Sequence, residues 1–250
     1  MKIYMQSRGS SPDFDYTWQP EVPSFLSRLS GYIQSESPSV VLCRFDGRLF
    51  LLVTSLESPT KRDFTGRIIY HSVAWIGDES DDNERLLRAI SVEALQGVLS
   101  SKVDKLVDLD RKTGFTFRED DFQRLGNSIL QEGAIENSPL DDLEITPKIA
   151  KNSQNRKDDL AFELKRFRLP TKSANSTNYQ LLVVVTGIKS EDSLAQSNIW
   201  RSLSSLVQSE NWKTVSNTKK EEYKQNFPMA IALILLLVAI AIIIIWILVR

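Results

Sequence analysis

Five side chains able to grip an anion or move a proton fall within eleven residues, Lys61, Arg62, Asp63, Arg67 and His71, in the stretch PTKRDFTGRIIYH. Two guanidinium groups on one loop suit a phosphate or carboxylate, which accepts their N–H groups in pairs. Gly66 lets such a loop turn tightly, and loops at sheet ends are frequent binding sites. The plainer alternative is a solvated loop holding an Arg–Asp pair. His71 is the only histidine in the chain. On an alternating strand Ile69, His71 and Val73 share one face, and Tyr70, Ser72 and Ala74 the other. Apolar neighbours on its face favour a structural role for His71 over a catalytic one. Ser72 points to the opposite face, so no triad is expected from that pair.

A second candidate is QSRGSSPDFDYTWQP, directly after a first strand, with Gln6, Arg8, Asp13, Asp15, Tyr16 and Trp18. Tyr and Trp are favoured at interfaces, so this stretch is expected to be an interaction loop. Its alternative is a loop whose aromatics pack on the protein's own core. ESDDNE, at 79–84, lacks the residue order of an EF-hand loop and is expected to cap the following helix.

Motifs with a known mechanism are missing. The sequence has no GxxxxGK[ST] loop, no GxGxxG, no GxSxG elbow and no CxxC. One histidine and one cysteine exclude HExxH sites and multi-His metal clusters. No cofactor is expected, although a carboxylate Mg²⁺ site needs only oxygens. Cys43 sits in the apolar run SVVLCRF and is expected to be a buried thiol in a reducing compartment. An acidic first half, with no aromatic platform among the basic residues that follow, gives no support to nucleic-acid binding.

Several elements must position these residues. KIYMQ reads as a first strand, SPDFDYTWQPEVP as a loop, and residues 24–35 as an amphipathic helix with Leu26, Leu29 and Ile33 on one face. VVLCRFDGRLFLLVT places Asp46-Gly47 between two apolar runs, the signature of a type I′ hairpin. GRIIYHSVAWIG is a further strand. A helix is expected from Asn83 to Ser101 with Leu86, Leu87, Ile90, Ala94, Leu95 and Val98 inward, and another from Glu119 to Gln131. The pattern β-α-β-β-β-α-α predicts an α/β or α+β head, a mixed β-sheet with packed helices, over residues 1–138. Residues 139–178 are polar and read as a linker with one short helix around 158–168. YQLLVVVTG then gives a strand, and SEDSLAQSNIWRSLSSLVQS a helix with Leu194, Ile199, Leu203 and Leu206 as apolar positions. This βα unit, 179–212, either completes the head sheet or pairs with a partner's sheet edge.

Charge divides the same way. Residues 1–147 carry 16 basic and 24 acidic side chains, a net −8, and residues 148–250 carry 15 and 8, a net +7. Anionic lipid would attract the second half and repel the first; the alternative is that the halves neutralise each other by packing.

From Pro228 to Val249 the chain has 22 residues without a charge. As a helix they span about 33 Å, enough for a hydrocarbon core of about 30 Å. Apolar residues on every side leave no polar face for lying on the surface. Lys213, Lys219, Lys220 and Lys224 precede this run and only Arg250 follows it. The positive-inside rule then puts the body in the cytoplasm, and MKIYMQSRGSSPDFD has no apolar stretch to act as a signal peptide. Residues 213–226 read as a charged stalk. Alanines in the span, without GxxxG, allow at most weak self-association. The expectation is therefore a tail-anchored, single-pass membrane protein whose head recruits a cytosolic protein. Its alternatives are a membrane-linked sensor or effector for a phosphate-bearing small molecule and an enzyme with a carboxylate Mg²⁺ site.

Overall fold

The computed structural model describes residues 1–34, 37–110, 112–171 and 179–215. In chain order the elements are β1 (Lys2–Ser7), β2 (Thr17–Gln19), α1 (Leu26–Leu29), β3 (Ser39–Phe45), β4 (Arg48–Arg62), β5 (Ile68–Asp78), α2 (Asp81–Leu95), α3 (Leu99–Asp104), β6 (Val107–Asp110), β7 (Gly114–Phe117), α4 (Glu119–Glu132), α5 (Asp142–Ile145), β8 (Lys148–Lys151), α6 (Gln154–Arg166), β9 (Tyr179–Thr186), α7 (Glu191–Gln196), β10 (Arg201–Ser204) and β11 (Lys213–Thr214). All belong to one compact unit, residues 1–214. Nine strands form a mixed sheet in the order β11-β8-β10-β9-β3-β4-β5-β1-β2, and β6–β7 is a separate hairpin.

Strand alternation sorts the sheet into two faces. Ile3 and Met5 of β1, Val40 and Leu42 of β3, Leu49, Leu51 and Val53 of β4, and Val73 and Trp75 of β5 join one buried cluster. Leu87 and Ile90 of α2, Phe122 and Ile129 of α4, and Leu160 and Leu164 of α6 complete it. On the opposite face Phe25 packs on Phe50, with ring centroids 4.6 Å apart. Cys43 is 1 % exposed, and burial pushes its thiol up to about 12.

The β3–β4 turn follows from its sequence. Phe45 pairs with Arg48, and Asp46 and Gly47 both take positive φ, 47° and 73°. That is the type I′ geometry that Asp-Gly favours. Ser80 caps α2 by accepting from the Asn83 amide at 3.3 Å, and Asp81, Asp82 and Glu84 occupy its first turn.

Several segments differ from expectation. In the stretch expected as a helix over 24–35, the described residues 24–34 form only the single turn α1, because Ser27 and Ser30 turn their hydroxyls onto the Ser24 and Ser27 carbonyls and Gly31 follows. The helix expected to reach Ser101 stops at Leu95. Gly97, at φ 73°, resets its phase, and Val98, expected inward, is 44 % exposed. The helix expected after Ser190 ends at Gln196: Asn198 is left-handed at φ 48°, and β10 enters the slot between β8 and β9. Leu203 is thus buried in a strand and Leu206 is exposed.

Within the expected polar linker, 139–178, the structure has α5, β8 and α6, the last being the short helix expected around 158–168, while 172–178 lie outside the described residues. α6 buries only Leu160, Ala161 and Leu164, so its charged majority hides the apolar stripe. Two buried arginines hold it. Arg201 grips the Glu163 carboxylate through Nε and Nη2 and donates to the Glu144 and Thr146 carbonyls, each at 2.9 Å. Arg88 of α2 donates to the Leu164, Phe167 and Glu136 carbonyls, closing the α6 C-terminus. β9 pairs with β3 and β10 with β9, so both belong to the main sheet. The stalk expected at 213–226 begins as the edge strand β11. Among the described residues no helix is long and apolar enough to cross a membrane. The span expected at 228–249 lies outside the described residues.

Candidate functional site

β1 runs antiparallel to β5, with Gln6 opposite Ser72. That pairing brings the loop after β1 to the loop before β5, and the two candidate stretches meet at one end of the sheet. The Arg8 guanidinium lies 3.5 Å from Asp63 and over the Tyr16 ring, 5.5 Å from its centroid. The Tyr16 hydroxyl accepts from the Tyr70 amide at 3.1 Å. Arg8 and Tyr16 are half-buried and Asp63 is buried.

Asp63 builds the β4–β5 turn. Its Oδ1 accepts from the Thr65 amide (2.8 Å), the Thr65 hydroxyl (2.7 Å) and the Arg67 amide (3.0 Å). The Thr65 hydroxyl bond, ahead of the opposing effect of burial, holds its carboxyl below the usual range. Gly66 closes the turn at φ 83°. Arg62 bends back, donating to the Ser58 (3.0 Å) and Lys61 (2.8 Å) carbonyls. The two expected clamp residues therefore differ: Arg62 is occupied by its own loop, and Arg67 presents an exposed side chain.

The rest of the first stretch is less concerted. Gln6 and Trp18 are cross-strand partners in the β1–β2 ladder, so both lie in the sheet and not on a loop. The short edge strand β2 forms because the chain returns along β1. Asp13 and Asp15 are exposed, and Asp15 only orders its own turn by accepting from the Tyr16 amide at 2.7 Å.

Beneath this surface lies a constellation that the sequence did not reveal. His71 is fully buried, with Ser7 Oγ 2.9 Å from Nδ1 and Asp104 Oδ1 3.3 Å from Nε2. Asp104, the last residue of α3, also accepts from the Ser58 and Thr60 hydroxyls. Lys61 Nζ lies 3.1 Å from its carboxylate and donates to its carbonyl. Burial alone would raise the Asp104 carboxyl, but the bonds from Ser58, Thr60, Lys61 and His71 outweigh it and hold it at about 2. Burial pushes His71 below its usual value against the pull of Asp104. An ionised carboxylate only accepts, so Nε2 carries the imidazole proton and Ser7 donates to Nδ1.

Serine, histidine and aspartate in contact are the components of a nucleophilic triad. Here Ser7 and His71 are 0 % exposed and Asp104 2 %. A substrate carbonyl has no approach to Ser7 Oγ. The arrangement joins β1, β4, β5 and α3 from within. Neither Ser7 nor Asp104 carries a local signal, being 64 and 33 residues from His71. Among the described residues no group of three or more His, Cys, Asp and Glu side chains is placed to hold a metal ion. The chain matches no protein-family model, no curated protein and no solved structure.

Proposed function

We propose that this chain is a tail-anchored, single-pass membrane protein whose cytosolic α/β head is an interaction module that recruits a protein partner to the bilayer. One observation carries the reading. Contacts among Arg8, Tyr16, Asp63 and Tyr70 join two distant loops into one ordered surface, and Phe64, 57 % exposed, stands on it between Arg62 and Arg67. Aromatic and arginine side chains are the usual anchors of protein interfaces. The complementary partner surface is an apolar pocket rimmed by carboxylates. The membrane half of the reading rests on the uncharged run 228–249 and the lysines ahead of it.

Crosslinking capture by the full-length protein in native membranes tests it, with Phe64→Ala and Arg67→Glu beside the wild type. One dominant cytosolic partner is expected, with about tenfold less captured by either variant at an unchanged melting temperature. Equal capture by all three, or none by the wild type, overturns the reading. The exposed Arg67 beside Arg62 also supports a second reading, a membrane-linked effector for a phosphate-bearing small molecule. That reading expects nucleotide to raise the wild-type melting temperature and not that of Arg67→Glu.

A further inference from the structure

At the other end of β1 and β5 from the loops described above, a groove of about 760 Å³ opens on the sheet face that carries Phe25 and Phe50. It crosses four neighbouring strands, from Phe45 of β3 over Phe50 of β4 and Ile76 of β5 to Tyr4 of β1. Three strand spacings make that about 14 Å, and the volume suits a small molecule. Register builds the floor: Phe50 is the cross-strand partner of Ile76, and Ile76 of Lys2. Phe50 and Tyr4 are buried, whereas Ile76 and Phe45 are half-buried, so apolar surface is open at the centre of the groove and at its β3 end. Ser24 and Asn83 add neutral polar groups to the lining.

Charge sets what such a groove can hold. Lys2, Arg28 and Arg48 line it against Asp46 and Asp78, an excess of one cation. Two of the cations have carboxylate neighbours: Lys2 Nζ lies 3.5 Å from Glu21, and Arg48 Nε 3.8 Å from Asp78. Arg28 stands apart. Its guanidinium lies over the Phe45 ring, 4.2 Å from the centroid, and has no hydrogen-bond acceptor or ion-pair partner among the described residues. The side chain is exposed, so its donors are open to a ligand. A ring face under the guanidinium steadies it and leaves the planar fork of N–H groups that a carboxylate accepts in pairs. One unpaired cation answers one negative charge, and Asp46 and Asp78 oppose a second.

We propose that this groove binds a flat aromatic monocarboxylate, with the carboxylate on the Arg28 fork and the rings along the floor towards Ile76. The test uses the full chain in lipid nanodiscs, labelled with ¹³C at the isoleucine δ1 methyl groups and titrated with 2-naphthoate at pH 7. Ile76→Val assigns the Ile76 peak. A saturable ring-current shift of that peak is expected, with a Kd on the order of 1 mM. The neutral 2-naphthamide, of nearly the same shape, should bind about tenfold more weakly. Arg28→Gln should weaken 2-naphthoate about tenfold and leave 2-naphthamide unchanged, which isolates the contact between fork and carboxylate. Because Arg28 is exposed and makes no hydrogen bond among the described residues, the variant should keep the wild-type melting temperature. A peak that drifts only linearly, as partition into lipid would produce, overturns the proposal. So does equal binding of the amide, or 2-naphthoate affinity unchanged in Arg28→Gln.

Discussion

A neutral imidazole between a hydroxyl and an ionised carboxylate satisfies all three groups with one proton arrangement, and that makes His71 a pH-dependent element of stability. Its folded-state value lies below the usual 6.5. As pH falls below 6.5 towards that lower value the unfolded chain takes up a proton that the native state refuses, so stability falls with it. Above about pH 7 the contribution is constant. Asp104 acts in a separate window, stabilising above its ordinary 3.8 and losing that contribution as pH falls towards about 2. The amount is on the order of 2 kcal/mol. Urea unfolding at pH 5 to 8 should show a decline towards pH 5 that His71→Gln abolishes, since no other histidine contributes. An unchanged slope in that variant would refute the assignment. Asp104→Asn, which leaves Lys61 and two hydroxyls short of an acceptor, should cost about 3 kcal/mol at pH 7 in the same measurement.

At the scale of elements, α6 shows why polar sequence is a poor guide to linkers. The short helix expected around 158–168 is present as α6 and begins earlier, at Gln154; its stripe has three buried residues, and its docking depends on Arg88 and Arg201 from elsewhere in the chain. Arg201→Lys retains the charge but loses the two-pronged grip on Glu163. The variant should lose about 3 kcal/mol, and hydrogen exchange should find residues 154–166 opening before the sheet. Equal protection of α6 in the variant and the wild type would show that packing alone holds it. The strands were more legible. Both arms around Asp46-Gly47, Ile68–Asp78 and Tyr179–Thr186 are long apolar runs, and Lys2–Ser7 carries the short apolar run Ile3–Met5, so local signals suffice. β8 and β10 are four residues each and become strands only because neighbours offer ladder hydrogen bonds.

For the molecule as a whole, the sheet unit and the apolar run near the end of the chain separate into testable parts. Under the anchor reading, replacing residues 228–249 with a polar sequence should move the protein from the membrane pellet to the supernatant. Retention in the pellet after carbonate extraction would sink that reading. The sheet-end surface should be unaffected, and the His71 pH profile should persist.

Sequence alone determined what depends on neighbours along the chain: the hairpin at Asp46-Gly47, the cap at Ser80, the apolar face shared by Ile69, His71 and Val73, and the uncharged run 228–249. These are set by local sterics, by periodicity and by the cost of charge in an apolar medium. Tertiary structure alone decided the contact of Arg8 with Asp63, the Ser7–His71–Asp104 constellation and the docking of α6 by two arginines. Each needs groups tens of residues apart, and antiparallel register or helix packing, which no local pattern encodes, brings them within hydrogen-bonding distance.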